Sequence, residues 1–299
     1  LKINKANSKD NSYHDPPKFV LNIPRINIIL FVLTFFTTLI SGSIMAGANL
    51  LSNPSDIWSG LPFSLTLMLI LTFHEFGHFF YAKKHNVQAT LPYFIPAPPF
   101  IVMIGTFGAF IKILSPIYRK DALLQIGASG PIAGFIIAFF ALLVGLPLSS
   151  IVEKIDASGG LILGDSLLMK GLVFIFYPDL SPSQDILLHP IAFSGWIGLL
   201  VTMLNLLPIG QLDGGHIAYA MIGKSHDLIA KIALIVTISL SFLSLNWLIW
   251  SILIILVMRT TKHPPIHDIK VPLSKQNQLI GYICIIIFIL CFIPTPIKF

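Results

Sequence analysis

Residues 61–81 read LPFSLTLMLILTFHEFGHFFY. The run has 21 residues, and Glu75 is its only Asp, Glu, Lys or Arg. As a helix it rises about 30 Å, the thickness of a bilayer's hydrocarbon. A carboxylate between two histidines is costly at that depth, so His74-Glu75-Phe76-Gly77-His78 marks a site rather than filler of the span. Helical residues four apart share a face, so the two imidazoles can meet one metal ion. Glu75, next to the first, can take a proton from bound water. The chain has two glutamates and nine histidines. From those frequencies, chance flanks a glutamate in this H-E-x-x-H pattern only about 0.2% of the time.

The rest of the chain is of the same kind. Of its 299 residues, 55% are hydrophobic and 11% charged, with a mean hydropathy of +0.84. A soluble domain carries about 25% charged residues. The composition excludes an ordinary soluble enzyme, a disordered chain and a disulfide scaffold, and a membrane β-barrel would show short alternating segments instead. The expected fold is all-α, a polytopic transmembrane helical bundle of about six to seven spans. Spans are expected at 27–48, 61–81, 123–146, 190–207 and 276–293. Residues 228–258 are awkwardly long for one span, and Ser241, Ser244 and Asn246 favour a tight turn between two short ones. Within 91–113, Pro92, Pro96, Pro98 and Pro99 forbid a continuous helix. That segment reads as re-entrant or interfacial, with room for a β-hairpin. Gly127, Gly130 and Gly134 should let a neighbouring helix approach the third span closely. Residues 149–188 read as a mixed loop with five acids and two lysines. Three parts follow: a polar tail at 1–25 without a signal-peptide pattern, a membrane core at 26–222, and C-terminal transmembrane segments at 223–299. Cys284 and Cys291 are about 10 Å apart along one helix, too far for a disulfide.

The net charge of +6 reflects basic residues between the spans and does not point to nucleic acid. With the N-terminus inside, sixteen of the nineteen Lys and Arg fall inside, leaving Lys154, Lys170 and Lys298 outside. Counting 228–258 as one span worsens that balance. The chain is therefore expected to be an integral multi-pass membrane protein. Its N-terminus and its histidine cluster should lie toward the positive-inside face, cytoplasmic or equivalent.

A zinc ion with two His ligands needs a third protein ligand and an open position. His85 lies in the basic exit segment Lys83-Lys84-His85-Asn86 and reads better as an interfacial histidine. Asp213, in Leu212-Asp213-Gly214-Gly215-His216, is the better candidate. Spans 61–81 and 190–207 should run in the same direction, which brings Asp213 and His78 to the same leaflet. The competing role for Asp213 is a helix N-cap. His216 reads equally as a partner of the site or an interfacial histidine.

His74-Glu75-Phe76-Gly77-His78 together with Asn205-Leu206-Leu207-Pro208-Ile209-Gly210-Gln211-Leu212-Asp213-Gly214-Gly215 resembles the site-2 protease family of intramembrane zinc metalloproteases, peptidase family M50. The resemblance covers roughly 61–222. It implies one Zn2+ per chain held by His74, His78 and Asp213, Glu75 as catalytic acid and base, and transmembrane proteins as substrates within the bilayer. Asn205 matches the family's asparagine; it reads equally as a donor to the developing oxyanion or an interhelical hydrogen bond. Ala128-Ser129-Gly130-Pro131 resembles the family's Gly-Pro segment. Many members have Asn where this chain has Gly134, so no polar role carries over there. The 91–113 segment stands where the family has a re-entrant β-hairpin whose edge could hold an extended substrate. The loop at 149–188 is too short for the PDZ domain of many bacterial members, so the pattern resembles the PDZ-less type, as does, more weakly, Met258-Arg259-Thr260 with His263-Pro264-Pro265.

Two rival readings fit the sequence less well. A different membrane zinc protease would draw its third ligand from a downstream Glu, but the only one is Glu153 in the outer loop. A membrane transporter or channel with an intramembrane His/Asp metal site would need polar residues through both leaflets, whereas these gather in one.

Overall fold

The computed structural model describes residues 24–154, 162–258, 260–266 and 270–298. The expected tail, up to residue 23, and Arg259 lie outside them. The chain is mostly helical. Its elements run α1 (Arg25–Met45), a 3-10 turn (Pro54–Gly60), α2 (Leu61–Lys84), β1 (Tyr93–Pro96), β2 (Thr106–Phe110) and α3 (Lys120–Gly145). Then come β3 (Ser150–Glu153), β4 (Ile162–Leu163), α4 (Leu167–Phe176), β5 (Gln184–Leu187) and α5 (Pro190–Asn205). The chain closes with α6 (Asp213–Ile222), α7 (His226–Ser239), α8 (Leu245–Met258), α9 (Lys275–Cys291) and β6 (Ile297–Lys298). Four helical stretches are long and apolar enough to cross a membrane: Arg25–Met45, Pro54–Lys84, Lys120–Gly145 and Asp213–Phe242. Pro190–Asn205, Leu245–Leu256 and Lys275–Cys291 are shorter apolar helices.

Helix α2 shows how the bundle is built. Leu65, Leu69, Phe73, Phe76 and Phe80 form its exposed stripe, while Leu67, Leu71, His74, Glu75 and His78 are buried. The outward stripe is wholly apolar and the polar His74, Glu75 and His78 face inward, because lipid tails satisfy no hydrogen bonds. Lys83 and Lys84 occupy its last turn, where cations suit the helix dipole. Helix α3 packs against α2, α5 and α6, with Leu124, Leu142, Leu199 and Met203 fully enclosed.

The proline-rich segment forms an antiparallel hairpin, with Tyr93 opposite Phe110 and an irregularity at Ile95/Pro96. Helix α1 holds it by side chains. Asn27 Nδ2 donates to the carbonyls of Leu91 (3.0 Å) and Pro92 (2.8 Å), and Thr37 Oγ1 to that of Gly105 (2.7 Å). The first two satisfy carbonyls just ahead of β1, and the third adds to the Ala97 N–H bond on the Gly105 carbonyl.

The described parts of the expected 149–188 loop, 149–154 and 162–188, hold regular elements. Strand β3 pairs with β5, and α4 is capped by the Ser166 side chain, which accepts from the Met169 N–H. The ten-residue α4 is too short for a span and too close to its polar flanks to stand out from sequence. At 228–258 the helix breaks at Leu240–Phe242, and α7 and α8 pack side by side. Both cysteines are buried and free.

Hydrogen bonds sort the helix ends into two groups. At one end, His85 Nε2 bonds Gln125 Oε1 (2.8 Å), Gln125 donates to Asn277 (2.7 Å), and Asn277 donates to Asp121 (2.7 Å), tying the end of α2 to the starts of α3 and α9. At the other, Trp196 donates to the Gly164 carbonyl (2.8 Å), Asn246 to that of Ile297 (2.7 Å), and Trp247 to that of Pro294 (2.7 Å), while β4 pairs with β6. The α7–α8 turn and the last strand therefore share one end with the 149–188 region.

Candidate metal centre

Helix α2 places His74 and His78 on one face, and α3 makes room for them. A Cβ at Gly130 would collide with the His78 ring, and one at Gly134 would come within 3.1 Å of His74 Nδ1. The glycine stripe that sequence reads as close packing is thus the floor under both imidazoles. Asp213 arrives from α6. The 206–212 turn brings its own backbone against that helix start, so a Cβ on Gly214 or Gly215 would strike the carbonyls of Leu206 or Gly210. Asp213 is the first residue of α6, with Leu212 as N-cap and no side-chain cap. Its carboxylate turns to the imidazoles instead of to its own helix.

The donor atoms meet closely. His74 Nε2 and His78 Nε2 are 3.2 Å apart, and Asp213 Oδ2 lies 3.4 Å from the first and 3.2 Å from the second. Zinc bonds of about 2.0–2.1 Å in a tetrahedron put ligand atoms about 3.3–3.4 Å apart. The triangle fits, and two imidazoles with one carboxylate are a zinc donor set that leaves one position open. Among the described residues these three form a group that could hold a metal ion. The His78 Nδ1–H donates to the Ile126 carbonyl at 2.7 Å, which leaves Nε2 as the lone-pair atom facing the other donors.

Glu75 is 5% exposed and lies beside the Ile111 backbone, just past β2. Asn205, at the end of α5, places Nδ2 3.3 Å from His74 Nε2. Sequence-predicted His74, Glu75, His78, Asn205 and Asp213 therefore gather at one place. His85 stands apart, bonded to Gln125. His216 Nδ1 is 2.7 Å from His263 Nε2. The Ile126 and Ile111 backbones were invisible as partners in sequence, because any residue supplies those atoms. Nor does any local pattern tie His263 to α6.

The model of peptidase family M50 matches residues 62–245, more than half of the chain. Probable zinc metalloprotease EGY2, chloroplastic, of Arabidopsis thaliana is 32% identical over 80% of this chain and 43% of its own length. Its namesake in Oryza sativa subsp. indica is 31% identical over 90% of this chain and 49% of its own. Probable zinc metalloprotease EGY1, chloroplastic, of Arabidopsis thaliana is 29% identical over 79% and 43%. The chain spans less than half the length of these curated relatives. No solved structure gives a significant match. With His74, His78 and Asp213 all inside the matched region, the chain belongs to peptidase family M50.

Proposed function

We propose that this protein is an intramembrane zinc metalloendopeptidase that hydrolyses peptide bonds in or near transmembrane segments of membrane proteins. The observation that carries the reading is the triangle of His74, His78 and Asp213 donors with Glu75 and Asn205 beside it. The similarity to relatives named zinc metalloproteases supports it.

His74, His78 and Asp213 would hold a zinc ion, which would supply Lewis acidity toward a carbonyl oxygen and toward water. The Glu75 carboxylate takes the proton of the attacking water and delivers it to the leaving amine as the C–N bond breaks. Asn205 donates its amide N–H to the oxygen on which charge develops. Substrate must lie extended, because a helical peptide bond is shielded by its neighbours. Strand β2 has one paired edge among the described residues, and Ile111 at its exit lies beside Glu75. A substrate strand added along β2 would pass the carboxylate. An apolar cavity of about 680 Å³ between α6 and α9, with Leu206, Pro208 and Gly214 in its wall, offers a way in from the lipid side.

The same reading gives the membrane arrangement. Helices α5, α8 and α9 cross as short spans alongside the four long stretches, making seven, and the β1–β2 hairpin is re-entrant. The two groups of helix ends support this, because each chain segment alternates between them. Lys83, Lys84, Lys112, Arg119 and Lys120 lie toward the end that holds His85 and Asn277, so that end and the N-terminus face the positive-inside compartment. Residues 26–222 form the catalytic core and 223–299 its C-terminal wall. The transporter alternative finds no support, since the site's polar groups gather at one level.

The test is cleavage of a single-span substrate by the purified chain in liposomes. Wild type should cut, and Glu75→Gln should bind zinc but not cut. Normal cleavage by Glu75→Gln would defeat the reading.

A further inference from the structure

We propose that the segment 260–264, between α8 and α9, is a brace that positions Asp213, with His263 as its positioning residue; this rests on the metal-centre reading above. The segment touches the Asp213 element on both sides. Three residues before Asp213, the Gly210 N–H donates to the Thr261 carbonyl at 3.2 Å. Gly210 has φ +57°, and a Cβ there would come within 3.1 Å of the Thr260 carbonyl oxygen. Three residues after Asp213, His216 Nδ1 lies 2.7 Å from His263 Nε2.

The direction of that bond follows from its neighbours. His263 Nδ1 is 2.6 Å from the Pro264 carbonyl, which can only accept, so Nδ1 carries the proton. Burial pushes the His263 imidazole below the usual histidine range, which favours the neutral ring. Its Nε2 is therefore an acceptor, and His216 Nδ1–H donates to it. Tyr219, one turn further along α6, stacks on His263 at 4.3 Å with ring planes 17° apart. His216 in turn rests on α3, where a Cβ at Gly127 would come within 2.9 Å of His216 Cβ and 3.2 Å of the Asp213 carbonyl. Helix α3 also holds His78, through the Ile126 carbonyl. The first turn of a helix is its least constrained part, because its N–H groups lack helical partners. Ties from one segment on either side of Asp213 fix that turn, and with it the distance from the carboxylate to the two imidazoles.

The test is zinc affinity of the purified full chain in detergent, measured by competition with a chelating dye. Partners that orient a ligand typically change metal affinity about 10–100-fold. His263→Phe keeps the ring on Tyr219 and removes the acceptor; His263→Gln keeps an acceptor oxygen. We expect a 10–100-fold loss for His263→Phe and affinity within about threefold of wild type for His263→Gln. Thermal midpoints of the chelator-treated proteins should match. His263→Phe binding zinc as tightly as wild type, or His263→Gln losing as much as His263→Phe, would overturn the brace. A wild-type chain without stoichiometric zinc would instead overturn the metal centre itself. If His263→Phe does not fold, His263→Leu makes the same removal.

Discussion

The interface of α2, α3 and α6 and the wall formed by α7, α8 and α9 obey different rules. In the first, glycines on α3 bring backbone and ring atoms into direct contact, and the buried ring of His78 has a backbone partner. In the second, large apolar side chains such as Ile235, Ile252, Leu256 and Ile286 face outward. That wall meets the rest through buried α9 side chains such as Ile287 and Cys291 and through Asn277 near a helix end, while Asn246 and Trp247 tie α8 to the segment after α9. Lipid gives helices no hydrophobic reason to associate, so close packing and hydrogen bonds do the holding. Close approach positions atoms to fractions of an ångström, whereas end ties fix only where a helix stands. The chain places His74, His78 and Asp213 where the first rule operates.

Substitutions on either side of that divide should differ in kind. The largest effect is expected for Glu75→Gln, which removes the proton carrier and should lower cleavage about 10²–10⁴-fold while zinc content stays that of wild type. Asn205→Ala comes next. As an oxyanion donor its loss should lower kcat about 10²–10³-fold with little change in KM or zinc affinity; an unchanged kcat would leave it a packing residue. Gly130→Ala tests the glycine floor. A methyl there must push the His78 ring, so zinc affinity should fall about 10–100-fold while helix content, by circular dichroism, does not change. The smallest effect belongs to the wall. Asn246→Ala loses a bond to the Ile297 carbonyl and should cost about 1 kcal/mol in unfolding free energy, read by denaturant titration, with cleavage unchanged. A large loss of cleavage in Asn246→Ala would mean that the wall also sets the site.

The same divide explains what could be read in the sequence. The His74 to His78 motif, the Asp213 loop and the α3 glycines are local patterns with few physical readings, and their meeting follows from the direction of the spans. The turn in 228–258 could be read from Ser241, Ser244 and Asn246, because polar residues interrupt an apolar run. The small helix α4 could not, since its apolar stretch is short and depends on packing against α9. The hold of Asn27 and Thr37 on the hairpin was equally hidden. It depends on residues more than sixty positions apart, and neither an asparagine nor a threonine in an apolar helix says which carbonyl it will find. His263 is the extreme case: its partner, 47 residues away, is fixed only by tertiary folding.

The most direct test of the whole account is the zinc content of purified wild type against Asp213→Ala, with His78→Ala as reference. One zinc per chain is expected in wild type, with both variants losing it after mild chelation. Zinc retained by Asp213→Ala at wild-type stoichiometry and affinity would contradict the account, because the two distant stretches of chain would then share no ion.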